Sequence, residues 1–410
     1  MSKINLQKKI LITFIPLISI FIGFILNEDL STGGGKLDFY QTFPQVLKFS
    51  NLIFTDVHEY TRHFPLHYLI LGIPQLIFDD VYITKLFYLF FSLLTPFLIY
   101  FNLCKIYPEN NENNLLISLI ILFIPFFRAM AIWPNAHLTA IIFLLFSNYF
   151  YLVYLEKKKF LNIFFNLFFL SLATYSIQSY CVFFIYYLII YFKGSRKQFW
   201  NILILCFIFS IPGLYLITQT PLGSRLDFTG NIPYTILTNA TIIFFFISLF
   251  LVNIKSLYII KNDIYNLNYK EIISIILIFL FLVFYFENLT PFIGGGFFYK
   301  ISLFLFNNEL LFFLISLISI FLIYLIFKRD KNLFILILLT CLTSTAYYTS
   351  QKYFEPLFLI AILIMSKNFL MKNLIFKRSR IIIFSCVVIF YFLIANLNNY
   401  YGLSKNINLT

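Results

Sequence analysis

Long apolar runs recur from one end of the chain to the other, separated by short polar clusters. Hydrophobic residues make up 61% of the 410 residues and charged residues only 11%, a composition outside the range of soluble globular domains. Many of these runs approach the roughly 20 apolar residues that a helix needs to cross a bilayer. We therefore predict an all-α, polytopic integral membrane protein.

About thirteen of the apolar runs are predicted to be transmembrane helices. They cover residues 10–26, 81–103, 115–127, 138–155, 160–176, 181–192, 199–217, 236–252, 272–286, 310–326, 333–348, 354–365 and 381–394. No linker, internal repeat or low-complexity segment separates them, so the chain is predicted to be one integral domain, 1–410. The first run has a basic flank but no small-residue cleavage site after it, which predicts a retained signal anchor.

The net charge of +13 comes from Lys and Arg clusters between the apolar runs. This placement indicates membrane topology and excludes nucleic acid as a partner. With a cytoplasmic N-terminus, 21 of the 30 basic residues face the cytoplasm. Counting the apolar run at 64–78 as a span would turn 18 of those 21 outward, against the positive-inside rule. We therefore predict that residues 64–78 form a helix at the outer face of a bacterial inner membrane.

The first outer loop, 27–80, is the largest, and it opens with the stretch STGGGKLDFYQ at 31–41. Its three glycines would let the backbone turn sharply out of the first span. Asp38 follows at the depth of a lipid headgroup, where a carboxylate can serve as a general base. Four other carboxylates in the same loop compete for that role, namely Glu28, Asp29, Asp56 and Glu59.

The stretch HEYTRHFPLH at 58–67 offers imidazole, carboxylate and guanidinium groups. Its spacing is HExxxH, not the HExxH that places two imidazoles on one helical face. A divalent metal at His58 and Glu59 remains an open alternative, whereas hydrogen bonding of an acceptor by histidines such as His63 is favoured. Arg62 can bind a phosphate or anchor the chain among the headgroups.

Other cations and rings lie where predicted spans meet the outer face. Arg128 can clamp a lipid phosphate or extend to the interface, and His137 follows it in the same segment. Late in the chain, Lys352 and Tyr353 precede a predicted span, and Lys352 has the same two alternatives. These four residues, with Arg62 and His63, are the candidates for binding substrate or lipid phosphate.

Three segments resemble the GT-C superfamily of glycosyltransferases, which includes protein O-mannosyltransferases and lipid A aminoarabinose transferases. Asp38 stands where that superfamily has an acidic residue after the first span. RHFPLHY at 62–68 is similar to its basic, Pro-containing stretch, and IPFFRAMAIWPNAHL at 124–138 is similar to its span end with Arg and Pro. The resemblance is at the superfamily level and extends to about residue 190.

The resemblance implies a GT-C-like fold with juxtamembrane helices in the first outer loop. It also implies inverting transfer of a sugar from a polyprenyl-phosphate donor to a glycan or lipid acceptor of the cell envelope, with Asp38 as the base. Two alternatives remain: an O-antigen-type polysaccharide polymerase, and a non-catalytic flippase of lipid-linked sugars. A transporter would place ionisable groups or broken helices near the bilayer midplane, whereas this chain keeps nearly all its charges at the ends of the predicted spans, with Lys85 as the main ambiguous case.

Overall fold

The computed structural model describes residues 3–31, 33–51, 63–194, 196–219, 232–251, 262, 264–287, 296–344, 351–365 and 367–401. These residues are almost entirely helical and contain no strand, which confirms the all-α prediction. The helices are α1 (Lys3–Ile25), α2 (Gly34–Ser50), α3 (Leu66–Phe78), α4 (Val81–Ser92), α5 (Leu94–Ile106), α6 (Asn111–Ile120), α7 (Pro125–Ile132), α8 (Ala136–Lys157), α9 (Phe160–Ser176), α10 (Val182–Gly194), α11 (Arg196–Gln219), α12 (Ile232–Leu251), α13 (Tyr269–Phe284), α14 (Gly296–Phe306), α15 (Leu310–Arg329), α16 (Lys331–Leu342), α17 (Gln351–Ile360), α18 (Phe369–Ile375) and α19 (Arg378–Tyr401).

Several of these helices can cross a bilayer. Within the described ranges, six are long and apolar enough, or seven if one bent pair counts as a span. The six are Val81–Ile106, Ala136–Lys157, Gln198–Leu216, Ile232–Phe250, Leu310–Arg329 and Arg378–Tyr400. Each contains or closely matches a predicted span, so the chain is a multi-pass membrane protein. The count of about thirteen stays a prediction.

The predicted span at 115–127 is not one straight helix, because the chain bends there by 68°. A 3₁₀ turn, Ile121–Phe123, ends the first half, and α7 begins at Pro125. Ile124, the residue before that proline, has extended backbone angles (φ −72°, ψ 119°). Proline disfavours the helical conformation in the residue before it and has no N–H to donate. The result is a broken pair of helices in place of one straight span.

The apolar run at 64–78 forms the separate helix α3, which begins directly after Pro65. Two consecutive aspartates, Asp79 and Asp80, separate α3 from α4, and each belongs to the end of one helix. Asp79 terminates α3 in a left-handed conformation (φ 47°) and accepts a hydrogen bond from Gln75. Asp80 caps α4 by accepting from the backbone N–H groups of Tyr82 and Ile83, as expected for Asp at an N-cap.

The helices pack as two compact units. The first unit contains α1 to α11 and the part of α19 from Val388 onward. The second contains α12 to α18 and the beginning of α19. No linker composition marks the boundary, and the single integral domain, 1–410, stays a prediction.

Buried amides and phenols link four helices of the first unit. The Asn102 carboxamide on α5 accepts from Asn148 on α8 at 2.9 Å, and Asn148 accepts from the Tyr187 hydroxyl on α10 at 3.1 Å. Asn166 on α9 donates to Ser147 on α8 and accepts from Tyr191 on α10, at 2.9 Å and 3.0 Å. Such interhelical bonds hold helices together in lipid, where apolar contact alone supplies little preference between partners.

We expect Asn148→Leu to lower the free energy of unfolding by about 1–2 kcal/mol, because it leaves the polar groups of Asn102 and Tyr187 without this partner. Unfolding of the purified protein in detergent, followed by circular dichroism, measures the change. The matched control is Asn396→Leu, since that amide donates only to the Phe392 carbonyl of its own helix. Equal loss in both variants would contradict the prediction.

Candidate functional site

The glycine-rich stretch after α1 is an ordered helix start. Gly33 has a φ of 89° and precedes α2, a conformation that glycine adopts without strain. The Ser31 hydroxyl accepts from the Gly35 N–H at 2.6 Å, and the Asp29 carboxylate accepts from the Lys36 N–H at 2.7 Å. These bonds satisfy two of the backbone donors that every helix N-terminus exposes. Asp29 therefore caps a helix, which argues against the alternative that it is the catalytic base.

Glu28 and Arg128 form a buried, bidentate ion pair. The guanidinium Nε lies 2.6 Å from Glu28 Oε1, and Nη2 lies 2.8 Å from Oε2. Ser19 accepts two more bonds, through its hydroxyl and its carbonyl, and the Leu122 carbonyl accepts a fifth. Arginine has five N–H donors, so all are used. Arg128 is thus not available as the phosphate clamp that the sequence suggested, and Glu28 is not available as the base.

Asp38 lies in the second turn of α2 and is half-buried. Glu28 and Asp29, by contrast, are each only 6% exposed, and both oxygens of each are engaged by the ion pair or the helix cap. Among the carboxylates proposed as the base, Asp38 is thus the accessible one in the described part of the first loop. Asp56 and Glu59 lie outside the described residues.

Two lysines lie next to the Trp133 ring, an arrangement that the sequence did not predict. The Lys85 ammonium lies 3.5 Å from the centre of the Trp133 ring and 3.1 Å from the Asn27 carboxamide oxygen. The Lys36 ammonium lies 5.9 Å from the same ring centre. The two charges are therefore within about 10 Å of each other, roughly a Debye length at 0.1 M salt. No carboxylate of the described residues lies within ion-pair distance of either.

An intramembrane lysine is itself a signal for a functional site, and Lys85 is only 5% exposed. Lys36 precedes Asp38 by two residues, and no sequence pattern around it indicates a functional role. The indole that joins them is held in place because its N–H donates to the Glu28 carbonyl at 3.0 Å. Glu28 thus takes part in the ion pair through its carboxylate and orients Trp133, the neighbour of both lysines, through its carbonyl.

A second polar cluster brings the rings of His63 and His137, two candidates from the sequence, together with the ring of Tyr180. The His63 and His137 rings lie 5.5 Å apart, and the His137 and Tyr180 rings lie 6.5 Å apart. Below them, His67 contacts the Thr139 hydroxyl at 2.8 Å. Burial lowers the pKa of His67 to about 3, so its ring is neutral at physiological pH.

The two clusters are adjacent because a short segment connects them. Trp133 lies beside the two lysines Lys36 and Lys85, and His137 lies beside the rings of His63 and Tyr180. Trp133 and His137 are four residues apart, and four residues of chain span at most about 14 Å. Asn135, between them, caps α8 through the His137 N–H at 3.0 Å. The Tyr88 hydroxyl fixes the same segment by donating to the Asn135 carbonyl at 2.6 Å.

The remaining candidates fall outside these clusters. Lys352 and Tyr353 belong to the second unit, where the Lys352 ammonium lies 4.9 Å from the Tyr353 ring centre. His58, Glu59 and Arg62 lie outside the described residues. Within the described residues, no group of three or more His, Cys, Asp or Glu side chains is placed to hold a metal ion. A metal at His58 and Glu59 therefore stays a prediction.

Comparison of the chain with protein-family models, curated proteins and solved structures gives no significant match. The resemblance to the GT-C superfamily consequently rests on the sequence segments named above.

We expect Gly23→Ala to lower the free energy of unfolding by about 2–4 kcal/mol. A β-carbon at Gly23 would lie 2.6 Å from Arg128 Nη2 and 2.7 Å from Glu28 Oε2, so the ion pair would have to move. Thermal unfolding of the purified protein in detergent measures the effect. Gly194→Ala is the control, because a β-carbon there meets nothing within 4 Å. Equal melting temperatures for both variants would show that the pair tolerates displacement.

Proposed function

We propose that the protein is an inverting membrane glycosyltransferase that uses a polyprenyl-phosphate-linked sugar as donor. The observation that carries the proposal is the separation of charge around α2. Among the carboxylates proposed as the base, Asp38 keeps solvent access in the described part of the loop, while two lysines at Trp133 have no carboxylate partner among the described residues. A general base and a phosphate-binding pair of cations are what this transfer requires.

In the proposed reaction, Asp38 takes the proton from an acceptor hydroxyl as its oxygen attacks the anomeric carbon of the donor sugar. The bond from that carbon to the phosphate oxygen breaks, and the electron pair leaves with the polyprenyl phosphate. Lys36 and Lys85 stabilise the negative charge that develops on the phosphate. The anomeric configuration is inverted, because attack and departure occur on opposite faces of the sugar.

Asp38 and Lys36 lie two residues apart on α2, about 3 Å along its axis. The Lys85 ammonium lies beside the same Trp133 ring as the Lys36 ammonium, so the proposed base and both cations belong to one region of the first unit. His63, His137 and Tyr180 supply polar edges and ring surfaces for an acceptor.

A flippase of lipid-linked sugars is the second candidate, and the broken pair α6 and α7 favours it. Discontinuous helices line the substrate sites of many transporters, and buried ionisable residues accompany them here. No feature of the described residues favours a polymerase acting on lipid-linked oligosaccharides. The phosphate-binding role of the lysines fits the transferase and the flippase alike, so turnover decides between them.

We expect Asp38→Asn to reduce sugar transfer at least 100-fold, the usual contribution of a general base. The assay follows release of radiolabelled sugar from polyprenyl-phosphate donors by the purified protein in liposomes. Asp79→Asn is the control, because Asp79 is exposed and its left-handed backbone suits asparagine. Retained turnover in Asp38→Asn would assign the base elsewhere in the loop. A wild type that moves labelled lipid across the bilayer without transfer would support the flippase.

Lys85→Gln is expected to weaken binding of polyprenyl phosphate at least tenfold, since charge-assisted hydrogen bonds contribute about 1.5–3 kcal/mol. Equilibrium binding of the labelled lipid to purified protein measures the loss. Lys328→Gln serves as control, because that lysine pairs with Glu271 at 2.9 Å in the second unit. Unchanged affinity in Lys85→Gln would remove the phosphate site from Trp133.

A further inference from the structure

The short helix α18 of the second unit is held in place by buried contacts. Asn368 fixes its start, because the carboxamide oxygen accepts from the Met371 N–H at 2.9 Å and the amide donates to the Ile362 carbonyl at 2.7 Å. One face of the helix is apolar and at most 1% exposed, and it consists of Leu370, Met371, Leu374 and Ile375. The opposite side of α18 therefore keeps a fixed orientation.

The exposed side of this part of the chain is strongly basic. Residues 367–380, which we name the basic segment, contain five basic residues and no acidic residue. Four of the five are exposed, namely Lys367, Lys372, Lys377 and Arg378. None of these four takes part in a salt bridge of the described residues. Like charges gathered in this way repel one another, so an anionic ligand would stabilise the segment.

Two candidate membrane spans end at the basic segment. Arg378 is the first residue of the span Arg378–Tyr400, and Arg329 is the last residue of the span Leu310–Arg329. The Arg329 guanidinium lies 4.8 Å from the centre of the Phe369 ring on α18, which brings a further cation to the segment. The ends of membrane spans lie at the depth of the lipid headgroups.

The carboxylates at this end of α15 are engaged elsewhere. Glu271 pairs with Lys328 at 2.9 Å. Asp330 caps α16 by accepting from the Leu333 N–H at 3.0 Å. The basic segment also contains an apolar group at its surface, since the Phe376 ring is 52% exposed. A ligand with a negative charge and an apolar part matches this surface.

We propose that the basic segment and Arg329 bind the phosphate headgroups of anionic phospholipids. Clusters of Lys and Arg directly beside a membrane span attract such lipids, and guanidinium groups bind phosphate oxygens through charge-assisted hydrogen bonds. The seven residues of α18 extend for about 10 Å, close to a Debye length at 0.1 M salt, so the charges act on one region of the membrane surface. This site is independent of the proposed glycosyl transfer.

Orientation of the chain in the bilayer is the simpler explanation of such charges, and a second basic cluster separates the two explanations. It lies at the end of the candidate span Ala136–Lys157 and consists of the exposed residues Lys157, Lys158 and Lys159. A carboxylate, Glu156, directly precedes these three lysines. Both clusters can orient the chain, but we expect lipid binding at the basic segment alone.

The test compares melting temperatures of the purified full-length protein in neutral detergent with added phosphatidylglycerol or phosphatidylcholine. We expect a saturable rise of about 2–5 °C with phosphatidylglycerol, since a ligand that binds the folded state stabilises it. The rise should be lost in the triple variant Lys367→Gln, Lys372→Gln, Lys377→Gln. It should persist when the same three lysines are replaced by arginine, because the attraction depends on charge.

The matched control removes the same number of charges from the second cluster, through Lys157→Gln, Lys158→Gln and Lys159→Gln. It should keep the full rise. Equal loss in both glutamine variants would overturn the proposal, because it would show attraction by net charge alone. Equal melting temperatures of the wild type in the two lipids would overturn it as well and leave the charges with a role in orientation.

Native mass spectrometry provides a second measurement that does not depend on stability. The number of phosphatidylglycerol molecules retained by the protein should fall in the glutamine variant of the basic segment and stay at the wild-type value in the control. Equal retention by the wild type and both variants would contradict the proposed site even if the melting temperatures differ.

Discussion

The buried ion pair between Glu28 and Arg128 is the interaction on which the first unit depends. It joins the end of α1 to α7, across a separation of 100 residues. Removing either partner would leave an uncompensated charge in a low-dielectric interior, which costs several kcal/mol. The neighbouring sequence is shaped by this constraint. Gly23 leaves room for the pair, and the Glu28 carbonyl accepts the indole N–H that orients Trp133.

The charges of Glu28 and Arg128 neutralise each other. Any chemistry of the first unit near α2 therefore depends on the other charged side chains there. Asp29 is consumed by the cap of α2, while Asp38 is half-buried one turn later. Lys36 and Lys85 have the Trp133 ring as a shared neighbour. An aromatic face attracts a cation but does not neutralise it, so the pair remains suited to an anion.

Sequence patterning predicted the helical class and most of the apolar helices, because hydrophobic period and length determine both. It also placed His63 and His137 among the candidates, and their rings are neighbours. It could not predict that Arg128 would bind Glu28, since nothing in the local sequence encodes a pairing across 100 residues. The glycine-rich stretch was predicted to be a turn, but its role as a capped helix start depends on Asp29, which precedes it.

The break between α6 and α7 bears on the choice between transferase and flippase. A flippase must alternate its access, which requires helices that move relative to one another. α7 carries Arg128, whose five donors are bound to α1, to the residue Glu28 after it, and to the 3₁₀ turn. Moving α7 would break several charge-assisted bonds at once, in an interior where replacements are costly. A helix fixed in this way suits a stationary site, so the broken pair is better explained as a support for Trp133 and His137 than as a gate.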